Sequence, residues 1–107
     1  MSDNLKVIPR VARILHADAD LYARKAADYA PGADPFENFA RAASFATRTG
    51  GKEITREDVC RVLIGVKVSR LETLGDRPPS NEGVLDTIRD ARIYLAILEG
   101  MLTEPPA

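Results

Sequence analysis

Apolar positions recur at intervals of three and four residues along nearly the whole chain, and no stretch shows the sustained alternation of a half-buried strand. The pattern predicts helices and no sheet. The first helix runs from about Pro9 to Tyr29, with Pro9 suited to an opening turn, where its missing N–H has no helical partner to lose. "APGADP" ends it. The second starts in "DPFE", with Asp34 as cap, Pro35 in the first helical position and Glu37 in the third, and "TGG" at residues 49 to 51 stops it. The third starts at "TRED", with Thr55 as cap and Asp58 in the capping-box position, and ends near "LGDRPPS". The fourth runs from Ser80 or Asn81 to about Leu102. Short connections favour sequential helices as antiparallel neighbours. The expectation is an all-α, compact antiparallel bundle of four main helices, formed by residues 1–107 as a single domain. About eight N-terminal and five C-terminal residues are expected to be flexible.

Charges interrupt the apolar faces. At about 100° per residue, the third helix gathers Val59, Leu63, Val66 and Leu74 into a stripe that also contains Arg70 and has Lys67 on its edge. The fourth carries an arc of Val84, Ile88, Ala91, Leu95, Leu98 and Leu102 that widens through Tyr94 and Met101 to Ile97 and Ile93. Asp86 and Asp90 stand within that wider flank. On the first helix, the stripe of Val11, Leu15, Tyr22 and Tyr29 includes Asp18 and Lys25. A buried charge without a partner costs several kcal/mol, so such groups either pair with one another or line a ligand-ready cavity.

Asp86 and Asp90, four residues apart, put like charges on adjoining turns and call for cations. Lys67 and Arg70 on the preceding helix are the natural compensators. One outcome is an interhelical ion-pair network that fixes register. The other is a site in which the two carboxylates hold Mg²⁺ and the two cations hold phosphate oxygens. Glu37 lies away from the Phe36, Phe39, Ala43 and Ala46 face, beside Arg41 and Ser44, and reads as a capping-box residue with a partner one turn on. Asn38, at the edge of that face, can bond a neighbouring helix or a ligand. Tyr22, Tyr29 and Tyr94 suit a core rim or a stacking platform for a base.

Composition narrows the classes. Fifteen Lys and Arg against sixteen Asp and Glu give a net charge of -1, which makes no electrostatic case for nucleic acid or an anionic membrane. Cys60 is the one cysteine and His16 the one histidine, so neither an internal disulfide nor a zinc-spaced cluster arises. No apolar run approaches a membrane span, and no signal-peptide core opens the chain. A cytoplasmic protein is expected. No nucleophile and base pair, Gly-rich phosphate loop or dinucleotide fingerprint is present.

In order along the chain, "YARKAADYA", "DPFENFARAASF", "EITREDVCRVLIGVKVSRLETL" and "GVLDTIRDARIYLAIL" resemble a family of small phage and prophage proteins of uncharacterised function. Its pattern is a Y-x-x-K-x-x-D-Y-G opening, an E-N-F helix, a K-x-x-R-L helix and a D-x-x-x-D-x-x-x-Y helix. Tyr22, Lys25, Asp28 and Tyr29 match the first motif, and Glu37, Asn38 and Phe39 the second. Lys67, Arg70 and Leu71 match the third, and Asp86, Asp90 and Tyr94 the last. Ala30 replaces the expected glycine, and "PGA" lengthens the turn that follows.

That family is distantly similar to the MazG-like all-α nucleoside triphosphate pyrophosphohydrolases, to the dimeric dUTPases and to nucleotide-modification-associated phage domains. The resemblance implies a MazG-like bundle, dimeric or higher, that binds a nucleotide between helices, in the host cytoplasm if phage-encoded. It also implies Mg²⁺-dependent cleavage to the monophosphate and pyrophosphate. Asp86 and Asp90 would hold metal and carry catalysis, with Glu37 as a further metal ligand. Lys67, Arg70 and Lys25 would neutralise phosphate, and Tyr22, Tyr94 and Asn38 would contact the nucleotide. The hydrolases carry E-x-x-E and E-x-x-D helices, and neither motif stands here in full. Two other readings stand beside the hydrolase: a nucleotide-binding sponge without chemistry that sequesters a signalling nucleotide of host defence, and a structural or interaction module whose charges set register.

Overall fold

The computed structural model describes residues 2–29, 34–75 and 82–104, and side chains within 7–26, 34–75 and 83–104. Four α-helices follow in order: α1 (Ser2–Tyr29), α2 (Glu37–Gly50), α3 (Arg56–Leu74) and α4 (Glu82–Thr103). No strand occurs among the described residues, so the chain is an all-α, four-helix protein. It divides into two compact units, Met1–Asp34 and Pro35–Ala107.

The first unit is built on α1. The helix begins at Ser2, with Pro9 inside it rather than at its opening. A proline removes one hydrogen bond to the turn before it, yet its fixed φ is itself helical, so the chain continues through. The helix thus extends seven residues ahead of the expected start at Pro9. Val7, Ile8, Val11, Ile14 and Leu15 remain exposed, while Asp18 is buried.

The second unit packs α2 on α3 and α3 on α4. Its first helix starts later than "DPFE" predicts. Pro35 and Phe36 form a turn, Glu37 is the first helical residue, and Phe36 occupies the N-cap without a side-chain cap bond. The Phe36 carbonyl accepts the Ala40 N–H at 3.0 Å and closes the first turn. Glu37 stands first in the helix rather than third, and its expected partner is present as an ion pair with Arg41.

The stop at "TGG" is as expected. Gly51 adopts φ 75°, where a side chain would be strained, and its N–H bonds the Thr47 carbonyl. Thr47 also ties the loop back: its hydroxyl donates to the Ile54 carbonyl at 3.1 Å and accepts the Ile54 N–H at 2.8 Å.

The start of α3 is the reciprocal cap that "TRED" predicts. The Thr55 hydroxyl accepts the Asp58 N–H, the Asp58 carboxylate accepts the Thr55 N–H, both at 3.0 Å, and Glu57 and Asp58 complement the helix dipole. Gly75 caps its far end. Ser80 and Asn81, the expected start of α4, lie outside the described residues, as do the "PGA" turn and the final residues 105–107.

Candidate functional site

Three residues of α3 fix its register against α4. Arg56 reaches the Met101 carbonyl at 3.4 Å and Glu104 at 2.6 Å, the Cys60 thiol donates to the Tyr94 carbonyl at 3.3 Å, and Lys67 pairs with Asp90 at 3.1 Å. Numbers rise along one helix as they fall along the other, so the pair is antiparallel. The face α3 turns to α4 therefore follows Cys60, Leu63, Ile64, Lys67 and Leu71, all buried or half-buried.

This rotates the helix away from the stripe expected of it. Arg70, expected among the apolar residues, is exposed, and Val66 is 54% exposed. Lys67, expected at the edge, is the cation that meets α4. The physical reason is that apolar residues are spread around α3 rather than gathered on one side, so periodicity alone does not select its packed face.

Of the four charges expected to compensate one another, two do so directly. Lys67 and Asp90 form a half-buried pair across the helices, with side chains 23% and 34% exposed. Asp86 is matched within its own helix by Arg89 at 3.2 Å. Arg70 makes no ion pair among the described residues. Each carboxylate of the candidate metal pair thus already faces a cation, and no group of three or more His, Cys, Asp or Glu side chains converges among the described residues. A cation bound here would compete with Lys67 and Arg89 for these carboxylates. As arranged, the pair neutralises charge rather than collecting it.

The remaining candidates lie on α1, α2 and α4. Tyr94 is half-buried, with its ring edge-on to Phe39 at 6.3 Å and 88°. Asn38 is exposed on α2, and Glu37 is occupied by Arg41. On α1, Tyr22 is half-buried and Lys25 exposed; the side chains of Asp28 and Tyr29 lie outside the described residues. Cys60 is fully buried, and desolvation raises its thiol pKa above the ordinary value, which keeps it an inert thiol.

The most connected cation is one the pattern did not single out. Arg56 opens α3, where the helix dipole disfavours positive charge, and that misfit was the available signal. It is held by Glu57 at 2.8 Å and Glu104 at 2.6 Å, and its guanidinium lies 5.1 Å from the centre of the Phe36 ring. The hydrogen bonds it donates to Glu57 and Glu104 raise its pKa, and the bond from Arg56 lowers that of Glu57. Phe36 in turn lies against Gly100: a Cβ there would come within 3.3 Å of the ring. A side chain on that turn of α4 would crowd Phe36, so glycine permits the close approach.

Between α2 and the start of α3 lies an open groove of about 570 Å³, lined by Ala43, Ser44, Thr47, Ile54, Thr55 and Glu57 among others. None of the residues singled out for metal, phosphate or base lines it. No helix among the described residues is long and apolar enough to cross a membrane. No protein-family model, curated protein or solved structure matches this chain.

Proposed function

We propose that this chain is a helical interaction module that completes its apolar core by associating with a second copy. One observation carries the reading. Among the described residues, the buried apolar side chains are Ala43, Cys60 and Met101, while twelve large apolar residues stay between 42% and 67% exposed. Burial of apolar surface is the main favourable term in folding and association, and scattered single leucines need no explanation. Here the exposed residues recur on the same helices instead. The Lys67–Asp90 pair then serves register, holding α3 and α4 in the alignment that shapes the outer surface.

The test is sedimentation of the full chain across a wide concentration range, together with urea unfolding at low and high protein concentration. An associating chain shows a rising mass and a midpoint that increases with concentration. A constant monomer mass and a fixed midpoint overturn the proposal.

Arg70 favours a second reading, nucleotide handling by a MazG-like bundle. It is an exposed cation with no ion pair among the described residues, one turn beyond Lys67. Under that reading Arg70 takes phosphate oxygens, and Lys67 joins it after releasing Asp90. Nucleotides with and without Mg²⁺ then raise the melting temperature, and pyrophosphate release separates the hydrolase from the sponge. A flat response across a nucleotide panel removes both.

A further inference from the structure

We infer that residues 7–17 of α1 dock on an anionic lipid surface, with the helix lying in the plane of the headgroups and its apolar row turned into them. The inference stands apart from self-association and gives this helix an occupant of its own.

Every residue from 7 to 17 is exposed, whereas Asp18 is buried and Leu21, Tyr22 and Ala26 are half-buried. At about 100° per residue, Ile14, Val7, Val11, Leu15 and Ile8 fall in that order within an arc of about 120°. Each of the five is between 42% and 67% exposed. Asp18 lies on the same arc one turn beyond Ile14 and ends the row. This stretch of α1 is therefore an amphipathic helix with solvent on both faces.

Charge on the same stretch names the occupant. Residues 7–17 hold Arg10 and Arg13 and no Asp or Glu, a net charge of +2 within a chain of -1. Neither arginine makes an ion pair among the described residues. Arg10 borders the row beside Ile14, where its alkyl stem follows the apolar side chains while the guanidinium reaches a lipid phosphate. Arg13 lies on the outer side, about one helix diameter from the surface and so within about one Debye length at about 0.1 M salt. The whole-chain balance makes no case for such a surface because it averages this stretch with the acids of the other helices.

The row does not suit the other occupants. It covers little more than two turns, whereas a seam between paired helices is sustained over about three heptads or more. Two copies joined along it would also bring four arginines together with no acid between them. A protein interface is anchored by central aromatic or arginine side chains. Here the centre, Val11, is aliphatic and the arginine stands at the edge, as on a helix lying at a headgroup boundary. Phe45 and the six exposed apolar residues of α3 and α4 are left to self-association.

The experiment is co-sedimentation of the full chain with vesicles of phosphatidylcholine mixed with phosphatidylglycerol, against vesicles of phosphatidylcholine alone. Circular dichroism verifies that each variant keeps its helices. The wild-type chain is expected to pellet with the mixed vesicles and to be released as salt rises, because the attraction is screened. Arg10→Gln combined with Arg13→Gln should weaken partitioning about thirtyfold, the product of about fivefold for each charge near the surface. Val11→Asn, at the centre of the row, should weaken it about tenfold by taking an apolar side chain out of the contact. Lys52→Gln, which removes an exposed cation elsewhere, should leave it unchanged. Equal binding to both kinds of vesicle, or binding that ignores the paired arginine variant, overturns the inference. So does a chain that stays in the supernatant throughout. Retention on immobilised poly-glutamate without binding to vesicles overturns it in favour of an acidic polypeptide.

Discussion

The α3–α4 hairpin is closed differently at its two ends. Where α3 starts and α4 finishes, Arg56 joins Glu57, Glu104, the Met101 carbonyl and the Phe36 ring, over the buried Cys60 and Met101. Toward the other end Lys67 pairs with Asp90, and Val66, Val68 and Leu85 stay 54%, 46% and 51% exposed. The same two helices thus carry a finished core at one end and an unfinished surface at the other. The difference is α2, which contributes aromatic cover to the finished end through Phe36 and Phe39. Cover, rather than helix quality, decides where this chain is stable alone.

The largest effect expected from breaking that contrast is at Met101. Met101→Ala removes most of one of the three apolar side chains buried among the described residues and should cost about 2–3 kcal/mol in urea unfolding. Val66→Ala, on the exposed side, should stay within about 0.5 kcal/mol. Equal losses at both positions would mean that the two ends are packed alike.

Next in size is Arg56. Arg56→Ala forfeits two ion pairs and the ring contact, and should cost about 1–2 kcal/mol after allowance for its partial exposure. Arg56→Lys should recover less than half, because an ammonium cannot bridge both carboxylates while lying over the ring. At the other end, replacing Lys67 and Asp90 together by Met and Leu should be neutral or stabilising, since two half-buried charges are removed along with their desolvation. A loss there as large as at Arg56 would make the pair more than a register mark.

Acid should act on the closed end. Glu57 is depressed below its ordinary value of 4.5 by the bond from Arg56, and Asp58 below 3.8 by the Thr55 backbone bond and the Thr55 hydroxyl. A depressed carboxylate stabilises the fold above its unfolded pKa and loses that contribution as pH falls through its folded one. Stability should therefore be level above about pH 5 and decline from near the unfolded values downward. Asp58→Asn should flatten part of that decline in unfolding curves taken across the acid range.

What could be read from the sequence follows the span of each interaction. The Thr55 and Asp58 cap and the Gly51 stop are made within four residues, and the residue types themselves announce them. The Lys67–Asp90 pairing was legible because two like charges a turn apart demanded cations on the next helix. The orientation of α3 was not, since valines all round it let the pattern place Arg70 inside the stripe and Lys67 on its edge, whereas Lys67 is the cation that meets α4. Arg56 escaped because its partners at Met101 and Glu104 lie 45 and 48 residues away. The start of α2 moved because Pro35 and Phe36 form a turn, so that the helix opens at Glu37 with the Phe36 carbonyl accepting the Ala40 N–H.

The smallest effect is the most discriminating about that closed end. Alanine is better than glycine inside a helix by about 1 kcal/mol, so Gly100→Ala should stabilise α4 if nothing opposes it. Its Cβ would stand 3.3 Å from the Phe36 ring edge, tight enough to push the ring by a few tenths of an ångström and loosen its contact with Arg56. The two effects should nearly cancel, leaving a change below about 0.5 kcal/mol. In a Phe36→Ala background the opposing contact is gone, and the same substitution should yield close to the full helical gain. A double-mutant cycle measured by urea unfolding reads the difference as coupling. Zero coupling would show that Phe36 does not rest on α4, and the closed end would then owe its order to Arg56 and its carboxylates alone.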